Sequence, residues 1–409
     1  MTAGAMAPEA MARDFDLRSL SPAFLNNPYP AYDALRAHDP VRRMPDGSLF
    51  LTRYDDLITV YRNAKLFSSD KKAEFGAKFG IDTPLFRHHT ASVVFTDPPR
   101  HTRVRRLFTG ALSQRALADT EPALLALVDG LLDRLAAKGR FDLIEDYAAQ
   151  IPVEVIGNLL GIPRERREPL RAWSLAILGA LEPVLTPEQE RRGTEALLAF
   201  RPFLRELIEH RRANPGDPWR DVLTRLIQGE GADRMTEEEL YENCVFLLNA
   251  GHETTTNFIG NALTTLLDWP DQRARLLEDH SLIRMGLEEF LRFESGNQFG
   301  NRVTTADGAI GGVAFGPGQL ITLCIGAANR DPAAFENPNQ LDIGRWPNRH
   351  LAFGYGVHLC AGLSLARLEG RVAIGRFLER FPRYRADGPA ARGGQARFRG
   401  YLSVPVAVE

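Results

Sequence analysis

Hydrophobic residues recur at helical spacing through most of this chain. The longest segments with this pattern are residues 119–137, 188–214, 236–268, 271–277, 283–293 and 363–381. Residues 48–52, 397–406 and the glycine-broken stretch 301–325 are instead typical of strands. These patterns predict a mainly α-helical fold with small β-sheets. Because predicted strands lie near both ends with helices between them, we expect a single domain over residues 14–409, preceded by a disordered N-terminus at residues 1–13.

Residues 236–268 form the longest predicted helix. Thr236 and Glu239 have the spacing of a capping box, and Pro270 ends the pattern. At 1.5 Å per residue the helix is about 50 Å long, which is enough to cross the interior. Polar residues 253–257 follow directly after its most apolar stretch, and buried polar groups are costly unless they are paired or used. We therefore expect part of a functional site at the middle of this helix.

The composition narrows the class of protein. The 409 residues are 44% hydrophobic and 25% charged, with a formal net charge of −2. This balance is typical of a soluble globular protein and gives no sign of general nucleic-acid or membrane-surface binding. No secretory signal and no run of about 18 apolar residues occurs. Three cysteines are too few for a disulfide framework, so a cytoplasmic location is expected.

The most specific motif is FGYGVHLCAG at residues 353–362. Cys360 lies in a glycine-rich loop just before a predicted helix, where backbone N–H groups favour a thiolate. Gly356 and Gly362 let the backbone pass close to a flat or bulky group. A lone cysteine in such a turn is usually structural, but the complete string F-x-x-G-x-H-x-C-x-G is far more specific.

This string resembles the haem-binding loop of the cytochrome P-450 family, of the bacterial soluble, ferredoxin-dependent type. The resemblance extends from about Pro28 to the last strand and implies the haem-thiolate monooxygenase fold. It implies that Cys360 is the axial ligand of the iron of haem b, that Phe353 packs against the loop and that His358 binds a haem propionate. Gly362 is counted with these cofactor-binding residues.

A second motif, AGHETT, lies at residues 250–255 in the middle of the long helix. The Thr254 hydroxyl can donate back to the carbonyl of Ala250, and Gly251 leaves room for a ligand beside the helix. Thr254 alone would most often be structural. With Glu253 beside it, the motif resembles the acid–alcohol pair of the family. The resemblance implies that Glu253 and Thr254 are catalytic and deliver protons during oxygen activation, with Ala250 against the haem.

A third motif, Glu289 followed by Arg292, places both charges on one helix face. Alone it would be an ordinary solvated ion pair. In the family this pair is joined by an arginine from a later segment, and the matching residue here is Arg345. The resemblance implies a structural role for all three residues.

A fourth motif is DPPRHTRVRR at residues 97–106. Asp97 is expected to cap a helix on which His101 and Arg105 share one face. Alone, this could be an exposed basic face. Arginine is well suited to carboxylates, and the resemblance implies that His101, Arg105 and the later Arg302 bind the haem propionates.

Several polar residues occur where family members usually contact substrate. The candidate substrate contacts are Phe246, Asn249, Asn297 and Gln298. Buried amides need partners, so we expect a small organic substrate with polar oxygen groups, such as an aromatic acid, a phenol ether or a terpenoid. The alternative is that these amides satisfy one another or the backbone.

The resemblance implies an oxygen-dependent monooxygenase that carries out hydroxylation or O-dealkylation of a small molecule with O2. No flavin or iron–sulfur cysteine cluster is visible, so electrons are expected from a separate ferredoxin and its ferredoxin reductase. Arg106, Arg349, Arg367 and Arg371 are the expected docking residues, although each could be ordinary surface charge.

Three other functions stay open at this point. A hydrogen-peroxide-dependent peroxygenase usually lacks the acid–alcohol pair, so Glu253 and Thr254 argue against it. A non-catalytic haem-thiolate protein is a further alternative. A zinc site built from His350, His358 and Cys360 lacks an evident fourth ligand.

Overall fold

The computed structural model describes residues 7–112, 117, 120–218, 221–229 and 234–409. Its helices are α1 (Pro8–Arg13), α2 (Pro22–Asn26), α3 (Tyr29–His38), α4 (Tyr54–Arg62), α5 (Lys72–Phe79), α6 (Pro84–Ala91), α7 (Arg100–Ala111), α8 (Thr120–Lys138), α9 (Gln150–Leu159), α10 (Leu170–Gly179), α11 (Pro187–Ala213), α12 (Val222–Gln228), α13 (Glu237–Asp268), α14 (Pro270–Glu278), α15 (Ile283–Phe293), α16 (Ile325–Ala328) and α17 (Leu363–Arg380). Its strands are β1 (Val41–Arg43), β2 (Leu49–Leu51), β3 (Phe67–Ser68), β4 (Arg140–Asp142), β5 (Phe299–Thr304), β6 (Gly308–Ile310), β7 (Val313–Phe315), β8 (Leu320–Cys324), β9 (Arg385–Ala386), β10 (Ala391–Arg392), β11 (Tyr401–Ser403) and β12 (Pro405–Ala407). The predicted class, mainly α with small sheets, is confirmed.

The largest sheet unites strands from distant parts of the chain. Its order is β1-β2-β8-β5-β3, with β2 parallel to β8 and the other pairs antiparallel. The stretch predicted at 301–325 contains β5 to β8, and 48–52 contains β2. Of the stretch predicted at 397–406, only the part from residue 401 onward forms strands, namely β11 and β12. These strands bring residues near 300 next to those near 50 and 67.

The predicted long helix is α13, and both of its end signals are confirmed. Thr236 accepts from the N–H of Glu239, whose carboxylate in turn accepts from the N–H of Thr236. Pro270 opens α14 immediately afterwards. Helix α13 is buried on nearly every side and packs against α9, α10, α15 and α17. It therefore places residues 250–257 in the interior, as expected.

The N-terminal prediction is wrong for residues 8–13. These residues form α1, which packs against α3, and Ala12 is buried in a cluster with Phe15 and Tyr32. The alanines and methionines that suggested disorder supply the apolar face of this helix. Residues 1–6 lie outside the described residues.

The predicted helix cap at Asp97 is also wrong. Helix α7 begins at Arg100 without a side-chain cap. The Asp97 carboxylate instead accepts from the N–H of Ser69 at 2.8 Å and from the Ser68 hydroxyl. Asp97 therefore ties the start of α7 to the end of β3, and its carboxylate does not cap the helix.

In the described part of the chain, no helix is both long enough and apolar enough to cross a membrane.

Candidate active site

The conformation of the loop around Cys360 is fixed by a backbone hydrogen bond and by two glycines. The N–H of Cys360 donates to the carbonyl of Phe353 at 2.9 Å. Gly354 and Gly356 adopt φ of 68° and 71°, a region that disfavours other residues. A Cβ on Gly356 would also lie 2.7 Å from the carbonyl oxygen of Tyr61. The two glycines thus fix the loop that presents the sulfur before α17.

Cys360 differs from the other two cysteines in its exposure. Cys244 and Cys324 are buried, and burial raises the pKa of each thiol to about 12. Cys360, in contrast, is only half-buried and keeps part of its surface accessible to solvent. Burial raises the pKa of its thiol, against the opposing hydrogen bond from Gly362 and the charge of Arg105. The loop alone therefore does not lower the thiol pKa as expected, although a coordinating thiol loses its proton outright to a metal cation.

Four basic side chains converge next to this loop, as predicted. The rings of His101 and His358 lie 4.1 Å apart between centroids. Burial, and to a smaller extent the charge of Arg302, lowers the pKa of His358 to about 2. Burial and the charge of Arg105 likewise lower the pKa of His101. Basic groups held this close destabilise one another unless an anion joins them.

The hydrogen bonding of this group also indicates an absent acceptor. Both ring nitrogens of His101 are buried and have no hydrogen-bond partner among the described residues. The guanidinium of Arg302 donates to the carbonyl of Asn301 at 2.6 Å, and that of Arg105 donates to the carbonyl of Leu359. Donors in excess of acceptors fit the two propionates of a haem. The residues present therefore fit the expected cofactor.

The Thr254 hydroxyl donates to the Ala250 carbonyl at 2.5 Å, as predicted. Beside it, the Oε2 atom of Glu253 is buried and has no hydrogen-bond partner among the residues described. Burial raises the pKa of Glu253 to about 7, against the opposing charge of Arg171. A carboxyl with this pKa exchanges its proton readily near neutral pH.

Gly251 has a different role from the one expected. A Cβ on Gly251 would lie 2.7 Å from Cδ1 of Ile156 on α9. The missing side chain therefore leaves room for a neighbouring helix, and it does not mark a ligand. This close approach fixes α13 against α9.

The three predicted structural residues meet as expected. Glu289 and Arg292 are fully buried and joined by two hydrogen bonds of 2.7 Å. Nε of Arg345 lies 3.2 and 3.1 Å from the two oxygens of Glu289. Arg292 also donates to three backbone carbonyls, at Asn329, Pro338 and Gln340. This arrangement ties α15 to the segment that leads to the Cys360 loop.

The candidate substrate contacts fall into two groups. Phe246 is half-buried, and Asn249 is buried with neither amide atom hydrogen-bonded within the described structure. The Oδ1 atom of Asn297 is likewise buried and has no hydrogen-bond partner among the described residues. The amide of Gln298, in contrast, accepts from the Tyr32 hydroxyl at 3.1 Å and donates to the carbonyl of residue 295 at 2.6 Å. The Gln298 amide is therefore satisfied within the protein, which agrees with the alternative that these amides bond one another or the backbone.

The four arginines expected to dock a partner are not equivalent. Arg367 forms two hydrogen bonds of 2.7 Å with Glu288, and Arg371 lies 2.8 Å from Glu121. Arg106 and Arg349 are exposed. The surface charge near the Cys360 loop is therefore partly neutralised within the protein.

Two residues near the loop were missed by the sequence analysis. The Ser69 hydroxyl lies 2.9 Å from Nε2 of His358. Glu288 accepts from Nε2 of His350 at 3.0 Å as well as from Arg367. Burial would raise the pKa of Glu288, but these hydrogen bonds lower it to about 2. No sequence signal pointed to either residue, since each contact joins distant parts of the chain.

The zinc alternative does not agree with these contacts. His350 is bound to Glu288 and His358 to Ser69. Across residues 7–409, apart from the undescribed gaps, no group of three or more His, Cys, Asp or Glu side chains could hold a metal ion.

Comparison with known proteins finds relatives over most of the chain. Residues 44–383 match the family profile described as Cytochrome P450. The vitamin D(3) 25-hydroxylase of Pseudonocardia autotrophica is 41% identical over 360 residues, or 87% of this chain and 87% of that protein. The biotin biosynthesis cytochrome P450 of Bacillus subtilis (strain 168) is 35% identical over 365 residues, or 88% of this chain and 91% of that protein.

Solved structures share the arrangement of helices and sheets. P450BioI, in complex with hexadec-9Z-enoic acid ligated acyl carrier protein, has a TM-score of 0.88 at 33% identity and covers 95% of this chain and all of its own. CYP109E1 from Bacillus megaterium, in complex with testosterone, has a TM-score of 0.87 at 27% identity and covers 95% of this chain and all of its own. The agreement extends over nearly the full length.

Proposed function

The chain belongs to the cytochrome P450 family and is a haem-thiolate monooxygenase, and from this premise we propose the substrate class, the electron donor and the roles of individual residues. The substrate is a small organic molecule with polar oxygen groups, and the reaction is a hydroxylation or an O-dealkylation with O2. The chain acts in the cytoplasm as one domain, which includes α1 as well as the expected residues 14–409.

Haem b is the cofactor, and the site geometry supports the following proposal for its binding residues. Cys360 would hold the iron through sulfur, while His101, Arg105, Arg302 and His358 would bind the propionates. When bound, a thiolate-ligated haem supplies the electron density that favours O–O cleavage. The glycines of the loop let the backbone lie close to the macrocycle.

The observation that carries the proposal is the pairing of Thr254 and Glu253 at the middle of α13. The Thr254 hydroxyl is held in place by the Ala250 carbonyl at 2.5 Å. The neighbouring Glu253 carboxyl is buried and has a pKa of about 7. Proton transfer by positioned side chains at such a site typically contributes about 10²- to 10⁴-fold to rate. Monooxygenation consumes protons, whereas a peroxygenase has no need of this pair.

The test combines a spectrum with a measure of coupling. The reduced protein with carbon monoxide should show the red-shifted Soret band of a thiolate-ligated haem. Thr254→Ala should then keep this spectrum but release most of its reducing equivalents as peroxide or water. Thr256→Ala is the matched control, because the Thr256 hydroxyl makes the same kind of back-bond, to the His252 carbonyl at 3.1 Å, two residues farther along α13. Equal coupling in all three proteins, or undiminished turnover with peroxide alone, would favour a peroxygenase.

The substrate proposal rests on the unpartnered amides. Asn249 and Asn297 have buried polar atoms without hydrogen-bond partners among the residues that the structure describes, so they favour a ligand with oxygen or nitrogen groups. The relatives do not decide the substrate, since their names and bound molecules include a vitamin D hydroxylase, a carrier-linked fatty acid and a steroid. If plain hydrocarbons shift the haem spectrum more strongly than their oxygenated analogues, this proposal fails.

Electrons come from a separate ferredoxin, reduced in turn by a ferredoxin reductase. Arg106, Arg349, Arg367 and Arg371 are the proposed docking residues; Arg106 and Arg349 are exposed, and Arg367 and Arg371 pair with Glu288 and Glu121. Contacts between exposed charges weaken with salt. Reduction rates that do not fall as salt rises would count against this docking surface.

A further inference from the structure

Two basic side chains lie buried beside the residues expected to face substrate. The side chain of Lys71, just before α5, is 2% exposed. Arg397 lies in the segment opposite Asn297: its carbonyl accepts from the N–H of Gln298 at 2.8 Å, and Asn297 forms a bridge with Phe398. Neither basic residue was singled out by the sequence motifs.

Lys71 is surrounded mainly by aromatic rings. Its Nζ atom lies 5.3 Å from the ring centroids of both Phe75 and Phe95. Its carboxylate partner is Glu74, at a rather long 3.5 Å. Burial lowers the pKa of Lys71 to about 7 against the opposing charge of Glu74, and the charge of Arg397 adds a smaller lowering contribution. An ammonium group in such surroundings is costly unless a second anion joins it.

The guanidinium of Arg397 is fixed but not saturated. It donates to the carbonyl of Phe299 at 3.3 Å and to the side chain of Asn301. Its Nε atom is buried and has no partner in the part of the chain that the structure describes. The charges of both Arg397 and Arg302 act on Lys71, so these basic groups lie close to the expected propionate site. Burial lowers the pKa of Arg397.

A third cation completes the group. Nζ of Lys78 donates to the backbone carbonyl of Glu182 at 2.6 Å, and burial followed by the charge of Arg397 lowers its pKa to about 8. We call these three residues the basic cluster: Lys71, Lys78 and Arg397.

The basic cluster has too few carboxylates. Those that act on Arg397 are Glu182 and Glu74. Glu182 already accepts from the backbone N–H groups of residues 396 and 397, at 2.8 and 3.1 Å, and burial raises its pKa. Within the described part of the chain, three basic groups therefore face two carboxylates, and one of these two already accepts hydrogen bonds from the backbone.

We propose that the basic cluster binds the carboxylate of an organic acid, and that such an acid is the substrate class of the monooxygenase proposed above. Lys71 and the free Nε of Arg397 donate to the carboxylate, since charge-assisted hydrogen bonds are the strong ones. The rings of Phe75 and Phe95 pack against the adjoining apolar part of the acid. This assignment rests on the proposed function and narrows it to one substrate chemistry.

A haem propionate is the competing anion. Four other donors already converge for the two propionates, namely His101, Arg105, Arg302 and His358, and these adjoin the Cys360 loop directly. If Lys71 served a propionate, its removal would weaken haem retention. If it serves the substrate, its removal would change ligand selectivity in a fully haem-loaded protein.

The experiment compares acids with their own methyl esters. Purified holoenzyme is titrated with 4-methoxybenzoic acid, dodecanoic acid and the two esters, by haem difference spectroscopy and by calorimetry. The unmodified enzyme should bind the acids at least about tenfold more tightly, as expected from one charged hydrogen bond. Lys71→Met should raise the Kd of the acids about tenfold and leave the Kd of the esters within about twofold. Lys72→Met is the matched control, since this adjacent lysine is 60% exposed, and it should change neither.

The outcomes separate this proposal from the proposed function. Equal affinity for acids and esters in the unmodified enzyme, or no binding of either acid, overturns the carboxylate site without any variant. Equal weakening of acids and esters by Lys71→Met shows a structural role and also overturns it. Loss of haem from Lys71→Met with intact acid selectivity assigns Lys71 to a propionate. The carbon monoxide spectrum, recorded on each protein, tests the haem-thiolate function independently of all of these results.

Discussion

The Thr254 hydroxyl and the Ala250 carbonyl are joined by a 2.5 Å hydrogen bond in the middle of a 32-residue helix. The bond occupies a carbonyl that would otherwise serve only the backbone ladder, and such back-bonding slightly loosens a helix. It also restricts the rotation of the Thr254 side chain. The helix therefore holds its proton-carrying groups in place through its own backbone.

Glu253 should make coupling depend on pH near neutrality. Its pKa of about 7 is raised by burial, so the carboxyl holds its proton below pH 7 and loses it above. The fraction of reducing equivalents that reaches product should therefore fall as pH rises through about 7. Glu253→Gln should lower this fraction at acidic pH and give a flat profile. A profile that is unchanged in Glu253→Gln would assign the proton to another group.

The buried pair of Glu289 and Arg292 should be essential for folding. Removing Arg292 leaves the buried Glu289 with Arg345 as its remaining arginine partner and takes the donor from three backbone carbonyls, and breaking a buried ion pair typically costs about 3–5 kcal/mol. Arg292→Leu should lower the free energy of unfolding in urea by that amount and reduce haem incorporation. Glu195→Gln is the control, because its ion pair with Arg191 is exposed and should change stability by less than about 1 kcal/mol. Similar losses in both variants would contradict the prediction.

Glu369 should destabilise the fold in a pH-dependent way. It is buried, its Oε2 has no hydrogen-bond partner within the described residues, and burial raises its pKa from 4.5 to about 8. Because the folded state holds a proton that the unfolded state loses, stability should fall as pH rises from about 4.5 to about 8. At 1.36 kcal/mol per unit the loss is about 3 kcal/mol at pH 7.

Glu369→Gln removes this titration. Urea unfolding at pH 5 and pH 8 should show the variant nearly unchanged at the lower pH and clearly more stable at the higher one. An equal change at both pH values would contradict the prediction.

The contact between Gly251 and Ile156 can be tested by a double-mutant cycle. Gly251→Ala should destabilise the protein by about 1–3 kcal/mol through overpacking, because its Cβ would meet Cδ1 of Ile156 at 2.7 Å. Ile156→Val removes that atom. The double variant should therefore be more stable than the sum of the single changes predicts. Additive effects in thermal unfolding would show that the two side chains do not compete for this space.

Features with a local cause were predictable from the sequence. The ends of α13 follow from Thr236, Glu239 and Pro270, which act within one turn of the helix. The Glu289–Arg292 pair and the Thr254 back-bond likewise join residues three or four positions apart. The helical rise alone brings such residues together, so no knowledge of the fold was needed.

Features that depend on contacts between distant parts of the chain were not predictable from the sequence. The partner of His358 is Ser69, 289 positions away, and the partner of Gln298 is Tyr32, 266 positions away. Helix α9 was also missed, because Pro152 and its β-branched residues suit a strand and the helix depends on packing against α13. The basic cluster appears only when α5 meets the segment around Arg397.

The parallel pairing of β2 with β8 has a consequence for biosynthesis. Phe50 leaves the ribosome about 270 residues before Thr322, the residue it pairs with, and at 5–20 residues per second this interval is roughly 15–50 s. During that time the apolar strand β2 has no central strand to join. We therefore expect nascent chains to need protection by chaperones in this interval, and translation that is paused before residue 320 to leave them prone to aggregation.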